Sequence, residues 1–286
     1  HDMSEFDTFG LFGINSLEIG THNYNRLSKD NDQISQYYYA KEILDKYLKK
    51  EKDLSEVFDI ENTAKFFAIH DLLSTNHPYA LHNIKFYYNP ITARLTPLGI
   101  DAAIETRKLS RKLAIDFNPL GIFNDQRFIA AYLNQLERLS EEQYFSDFLE
   151  HINYELKFNL SQIHKNYPYV KLRNDEFLKN IQYIRARLNP IKPFILVNSR
   201  EINSDNKTVE LFLANNSNFP IEIKEIYNNQ ISFKPKEKLI LNRRKRFNRI
   251  QGTYYNFLKS SLKNNFNLQN KSEKFKVIYK LLGTNL

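Results

Sequence analysis

The sequence predicts an α+β protein in two parts: a mostly helical domain over residues 1–190 carrying one short β-hairpin, then an all-β, sandwich-like module over 191–286. Three observations predict it. Apolar residues recur at helical spacing through most of the first part. After about residue 191 the pattern changes to short alternating or β-branched runs separated by Asn-rich turns. The charge changes at the same place: of 41 Lys+Arg and 33 Asp+Glu, residues 191–286 hold 18 and 7, a balance of +11, which leaves 23 and 26, or −3, for residues 1–190. Pro190 and Pro193 mark the joint.

The helices follow in order. "DQISQYYYAKEILDKYLKK" (32–50) sets Ile34, Tyr37, Tyr38, Ile43, Leu44 and Leu48 on one side, with lysines in the last turn where the helix dipole favours them. "FDIENTAKFFAIHDLLS" has Asp59 as N-cap and an apolar face wide enough for a buried helix. Asp71 on that helix reads as a solvated or capping carboxylate. A third helix is expected from Asn124 as cap. A long fourth is expected from Ser140, with Gln143 completing a capping box. A fifth runs from Asn174 to Leu188 and stops before Pro190. In the β part, "TVELFLANNS", "IEIKEIY", "ISFKPKEKLIL" and "EKFKVIYKLLG" read as strands.

Composition removes several kinds of chemistry. With 286 residues and no Cys, there are no disulfide staples, no Cys-ligated zinc and no thiol nucleophile. No run of about 18 apolar residues reads as a transmembrane helix. The start, "HDMSEFD", reads as a cloning scar or internal cut, so the natural N-terminus is expected upstream.

The stretch that stands apart is "HPYALHNIKFYYNPITARLTPLGIDA" (77–102). "NIKFYY" and "ARLTPLGI" flank the turn "NPIT", in which Pro90 presets φ. An antiparallel hairpin brings its open ends together, so Asn83 and Asp101 are expected to be neighbours in space. An amide oxygen beside a carboxylate is a hard oxygen pair suited to Mg2+ or Mn2+. From spacing alone the two residues fit turn and helix caps as well.

The segment "VFDIENTAKFFAIHDLLSTNHPYALHNIKFYYNPITARLTPLGIDA" resembles the CotH family, the spore-coat-protein-H-like atypical protein kinases. The elements that carry the likeness are "FDIEN", "AKFFAIHDLL", the loop closing on "HN", "YYNPIT" and "PLGID", within about residues 57–102. The resemblance implies a kinase C-lobe-like fold for the helical domain. It also implies ATP- and metal-dependent phosphoryl transfer to protein Ser/Thr. Asn83 and Asp101 would be the metal ligands (Mg2+ or Mn2+) on ATP, Asp101 thereby acting in catalysis, and the loop from His77 to His82 would stand where a kinase catalytic loop lies. This chain departs from the kinase pattern there: five residues before Asn83 is Pro78, where a kinase has its Asp base. His77 is the candidate base in its place, and His82 the candidate for a backbone or phosphate hydrogen bond.

A second departure is the missing small lobe. No glycine-rich loop precedes the helices, and "FGLFG" (9–13) lacks the spacing of one. The chain therefore reads as a fragment lacking the N-terminal lobe, inactive alone. The alternative reading is non-catalytic: a cell-surface or coat-assembly scaffold that binds partners through the basic β-module. The family resemblance favours an extracytoplasmic or cell-surface setting. The expected partner is a protein substrate or an assembly partner. The run "NRRKRFNR" (242–249) reads first as a solvated turn, so no nucleic-acid partner is expected, although an anionic polymer is a third reading. Arg107, Lys108, Arg111 and Lys112 read as an exposed basic face that could meet acidic groups near Asp101.

Overall fold

The computed structural model describes residues 21, 24–80, 83–100, 112–172, 174–189, 194–201, 208–227, 231–244, 253–261 and 276–285. Two compact units emerge, His1–Ile184 and Arg185–Leu286.

In the first unit, α1 (Tyr24–Leu27) and α2 (Asn31–Leu48) come first. Asp30 caps α2 by accepting from the Asp32 and Gln33 amides at 3.0 and 3.1 Å. A short α3 (Leu54–Val57) leads into α4 (Ile60–Leu72). Asp59 is the N-cap of α4, accepting from the Asn62 amide at 3.1 Å, as the sequence predicts. A 3-10 turn (His77–Tyr79) and the hairpin β1 (Phe86–Asn89) and β2 (Arg94–Pro97) follow. Beyond residue 111 come α5 (Ala114–Phe117), a 3-10 stretch (Pro119–Asn124), α6 (Gln126–Leu139), α7 (Glu142–His151), α8 (Asn153–His164) and α9 (Asn174–Leu188), whose last four residues are counted with the second unit.

The core of this unit is aromatic and centred on α4. Phe67 is fully buried, with ring centroids of Tyr79, Phe123 and Phe128 at 5.4, 5.5 and 6.0 Å. Phe128 and Tyr132 on α6 are equally buried, and Tyr132 lies edge-on to Phe123 at 4.9 Å. Each large apolar side chain removed from water in this way contributes about 1.5–3 kcal/mol. That area term makes α4 and α6 the axis of the unit.

Two helix starts differ from the sequence reading. The cap of α6 is Asp125, not Asn124: its carboxylate accepts from the Arg127 and Phe128 amides at 2.7 and 3.1 Å. A carboxylate one residue later meets the open amides better, and Asn124 instead accepts from the Asn118 amide. Ser140 ends α6, with Oγ donating to the Glu137 carbonyl, so the expected capping box does not form. The long helix expected from it is broken at Ile152 into α7 and α8.

The hairpin forms in the expected place. Phe86 pairs with Pro97 and Asn89 with Arg94, around a loop of residues 90–93. Asn89 Oδ1 accepts from the Ile91 amide, an Asx turn, and Ala93 takes a left-handed φ of 52° to close it. The Leu98 N–H donating to the Lys85 carbonyl at 2.8 Å extends the pairing by one rung. The hairpin is held to the start of α4: Leu95 bridges Phe58, its carbonyl accepts from the Asp59 amide at 3.0 Å, and Arg94 Nε donates to the Ser55 carbonyl.

In the second unit, seven strands pair antiparallel: β3 (Phe194–Glu201), β4 (Thr208–Asn215), β5 (Ile221–Tyr227), β6 (Ile231–Pro235), β7 (Leu239–Leu241), β8 (Thr253–Ser261) and β9 (Lys276–Leu281). The order is β3-β4-β8-β6-β5-β7, with β9 on the other edge of β5. The all-β module expected after residue 190 is present, and hydrogen bonding joins the described strands into one network, because β5 is paired along both edges: Ile221 faces Leu241 on one side and Leu281 on the other. Burial follows: Ile221, Ile223 and Ile226 are inside. Among the described residues, no helix is long and apolar enough to cross a membrane.

Candidate functional site

The site is built on the loop that joins α4 to β1. His77 opens the 3-10 turn, Pro78 follows at its second position, and Tyr79 closes it. The chain then folds back on itself: the Asn83 and Ile84 amides both donate to the Ala80 carbonyl, at 2.8 and 2.9 Å. This compact turn sets His77 beside Asn83, six residues on. The Asn83 amide nitrogen lies 2.8 Å from His77 Nε2 and 3.2 Å from Nδ1. The amide thus lies against the imidazole between its two nitrogens, in line with neither. His77 is exposed and Asn83 half-buried.

The paired part of the hairpin runs from Asn89–Arg94 to Phe86–Pro97, and one further bond joins the Leu98 N–H to the Lys85 carbonyl. Beyond it both segments turn: the Asn83 and Ile84 amides donate to the Ala80 carbonyl and the Ile100 amide to the Leu98 carbonyl. Asp101 and His82, the other two residues singled out, lie outside the described residues. So do Arg107, Lys108 and Arg111, and, from the basic run, Lys245 and Arg246. Of the basic residues after Asp101, Lys112 stacks on Phe117, its Nζ 5.4 Å from the ring centre. Arg244 donates to Asn216 Oδ1 at 3.1 Å.

Beneath the loop lies a polar group that the sequence reading misjudged. Asp71 is not a solvated or capping carboxylate. It is 3 % exposed, and its Oδ1 accepts from the Ala114 amide at 2.9 Å. Its Oδ2 accepts a short hydrogen bond from the Tyr132 hydroxyl, and the Tyr79 hydroxyl is a further partner. Burial pushes the Asp71 carboxyl up to about 7, against the opposing pull of its three donors. Burial and the Asp71 charge raise both tyrosine hydroxyls well above their ordinary range, so both stay protonated as donors. Position 71 lies four residues after Phe67, on the apolar stripe of α4. That spacing was the signal in the sequence that it points inward.

The neighbouring His70 faces another way. Its Nδ1 lies 2.6 Å from the Phe66 carbonyl, which can only accept, so Nδ1 carries the proton and Nε2 the lone pair. Burial lowers its affinity for a second proton. Nε2 is buried and has no hydrogen-bond partner among the described residues. It lies beside Gly99, where a side chain carbon would meet the ring at 3.7 Å. One turn of α4 thus supports both ends of the hairpin: His70 against Gly99, and Asp71 through Tyr79 against the loop of His77 and Asn83.

Chemically, the exposed pair offers an imidazole lone pair and an amide oxygen at the mouth of a hairpin. Among the described residues no three His, Asp or Glu side chains gather as a metal cage. No protein-family model, curated protein or solved structure matches this chain.

Proposed function

We propose that the helical unit is a CotH-like, kinase-like module that transfers the γ-phosphoryl group of ATP to a protein hydroxyl. Asn83 and Asp101 hold Mg2+ or Mn2+ on the nucleotide phosphates. The observation that supports this reading is the hairpin itself, whose last bond, Leu98 N–H to the Lys85 carbonyl, lies two residues after Asn83 and three before Asp101 in the chain. The donor set fits a hard cation: with its nitrogen turned to His77, Asn83 presents Oδ1 as its remaining polar atom. When bound, the metal would neutralise charge on the phosphates.

His77 is the candidate base. The Asn83 amide lies against its ring, so His77 would also help to orient Asn83.

The test is Mg2+- or Mn2+-dependent ATP turnover by the protein. Asp101→Ala and Asn83→Ala are each expected to lower turnover at least 100-fold, since such sites work by positioning and charge stabilisation. Turnover unchanged in both variants, or absent from all three proteins, overturns the kinase reading. Absence from all three leaves the coat- or surface-assembly scaffold as the function to pursue.

A further inference from the structure

We propose that Asp71 is the positioning residue of the 77–84 loop: by holding Tyr79, its buried carboxylate fixes where His77 and Asn83 stand. Tyr79 shares one 3-10 turn with His77, and only Pro78 lies between them. Proline fixes its own φ near −65°, so motion of Tyr79 is passed to His77 instead of being absorbed. The Tyr79 ring is wedged among Phe67, His70 and Phe117, at 5.4, 6.4 and 6.2 Å. Its hydroxyl is therefore delivered to Asp71 in one direction. From Tyr79 the chain passes through Ala80, whose carbonyl collects the Asn83 and Ile84 amides. Asp71 is thus three links from the exposed pair, and every link is a rigid turn or a hydrogen bond.

A carboxylate is an expensive way to fill a core. An apolar residue of the same size avoids the desolvation cost and is often as stable or more so. What an apolar residue cannot do is gather donors from three elements. Asp71 does so: Tyr79 from the 3-10 turn, Tyr132 from α6 and the Ala114 amide from α5.

The arrangement also makes the loop sensitive to pH. The titratable groups that face Asp71 are Tyr79, Tyr132 and, from α5, Asp116, whose charge opposes ionisation. On its own helix, His70 is turned to the Phe66 carbonyl and is kept neutral by burial. The Tyr79 hydrogen bond favours ionised Asp71. By linkage, ionised Asp71 favours the Tyr79 hydrogen bond. The loop is therefore held most firmly above a pH of about 7 and less firmly below it. None of this requires ATP or metal, so the inference stands or falls separately from the kinase reading.

The test uses the whole chain, without nucleotide. The His77 imidazole signals are followed by NMR, and exchange of the Asn83 and Ile84 amides is measured, corrected for intrinsic rate, from pH 5.5 to 8. Wild type is expected to show slower loop exchange above a midpoint near 7. Tyr79→Phe removes only one hydroxyl. It is expected to speed exchange of those two amides at least 10-fold above pH 7, shift the His77 signals and abolish the midpoint. Asp71→Asn should do the same if it folds; if it does not, Tyr79→Phe decides. Tyr132→Phe, which cuts the α6 donor that also favours ionised Asp71, should lower the unfolding midpoint and move the loop's pH midpoint upward without abolishing it. If Tyr79→Phe leaves the His77 signals and the loop profile as in wild type, Asp71 is a core group only and the proposal is overturned.

Discussion

Asp71 sits where water does not reach, yet it ionises within the physiological range because three donors face it. The consequence for stability has a definite sign. Between its unfolded value, near 4, and its folded value of about 7, the native state keeps a proton that the unfolded chain has released. Stability from this group is therefore greatest below pH 4 and falls as pH rises to about 7, then levels off. Asp71→Asn removes that slope, so the variant gains on wild type as pH rises. Urea midpoints at pH 4.5, 6 and 8 check this: a difference between the two proteins that stays constant across the series rejects it. His70 beside it shows the opposite economy, a neutral ring whose tautomer is fixed by one backbone carbonyl.

Among the elements, α6 shows how a single position decides a helix start. Asp125 offers its carboxylate to two open amides, and its ion pair with Arg127 at 3.0 Å lies on an exposed side chain. Exposed pairs of this sort contribute little, whereas loss of a cap costs about 1 kcal/mol. Asp125→Ala is expected to destabilise the protein by about 1 kcal/mol. Ser140→Ala is expected to cost less, about 0.5 kcal/mol, because Ser140 caps no helix start and its hydroxyl makes one hydrogen bond, to the Glu137 carbonyl. Denaturant unfolding of the two variants ranks them, and the reverse order would show that the sequence-level cap at Ser140 operates. The hairpin illustrates the other side of element design. Its loop is local, but its placement depends on Asp59 and Ser55, residues about forty positions earlier.

For the whole molecule, each unit has its own internal logic. The helical unit is organised about rings on α4 and α6. The sheet unit closes around one amide: Asn215, 7 % exposed, donates to the carbonyls of Phe219, Leu241 and Asn242 at 2.8, 3.1 and 3.0 Å and accepts from the Ser217 amide. It ties the end of β4 to the turn before β5 and to the end of β7. Asn215→Ala leaves buried carbonyls without donors and is expected to cost about 1–3 kcal/mol. The loss of β-sheet signal in circular dichroism on urea titration measures it, and a midpoint equal to wild type rejects the role. Glu222 on β5 is nearly buried too. Burial raises its carboxyl, but Lys224, Lys238 and Lys280 together outweigh that and hold it below the ordinary range.

Local signals in the sequence determined the helices, the hairpin turn, the change to strands near residue 190 and the Asp59 cap. These features depend on residues within one or two turns of each other, where periodicity and capping chemistry are decisive. Two strands, β3 and β8, were not foreseen: "FILVNSRE" begins beside the prolines of the joint, and "TYYNFLKSS" follows the basic run. The tertiary structure alone decided that Tyr79 and Tyr132 are the donors of Asp71 and that His77 meets Asn83. Partners at separations of 8 and 61 residues leave no periodic trace in the chain. Only the closing of α6 and of the loop over α4 turns a carboxylate that reads as solvent-facing into the anchor of the candidate site.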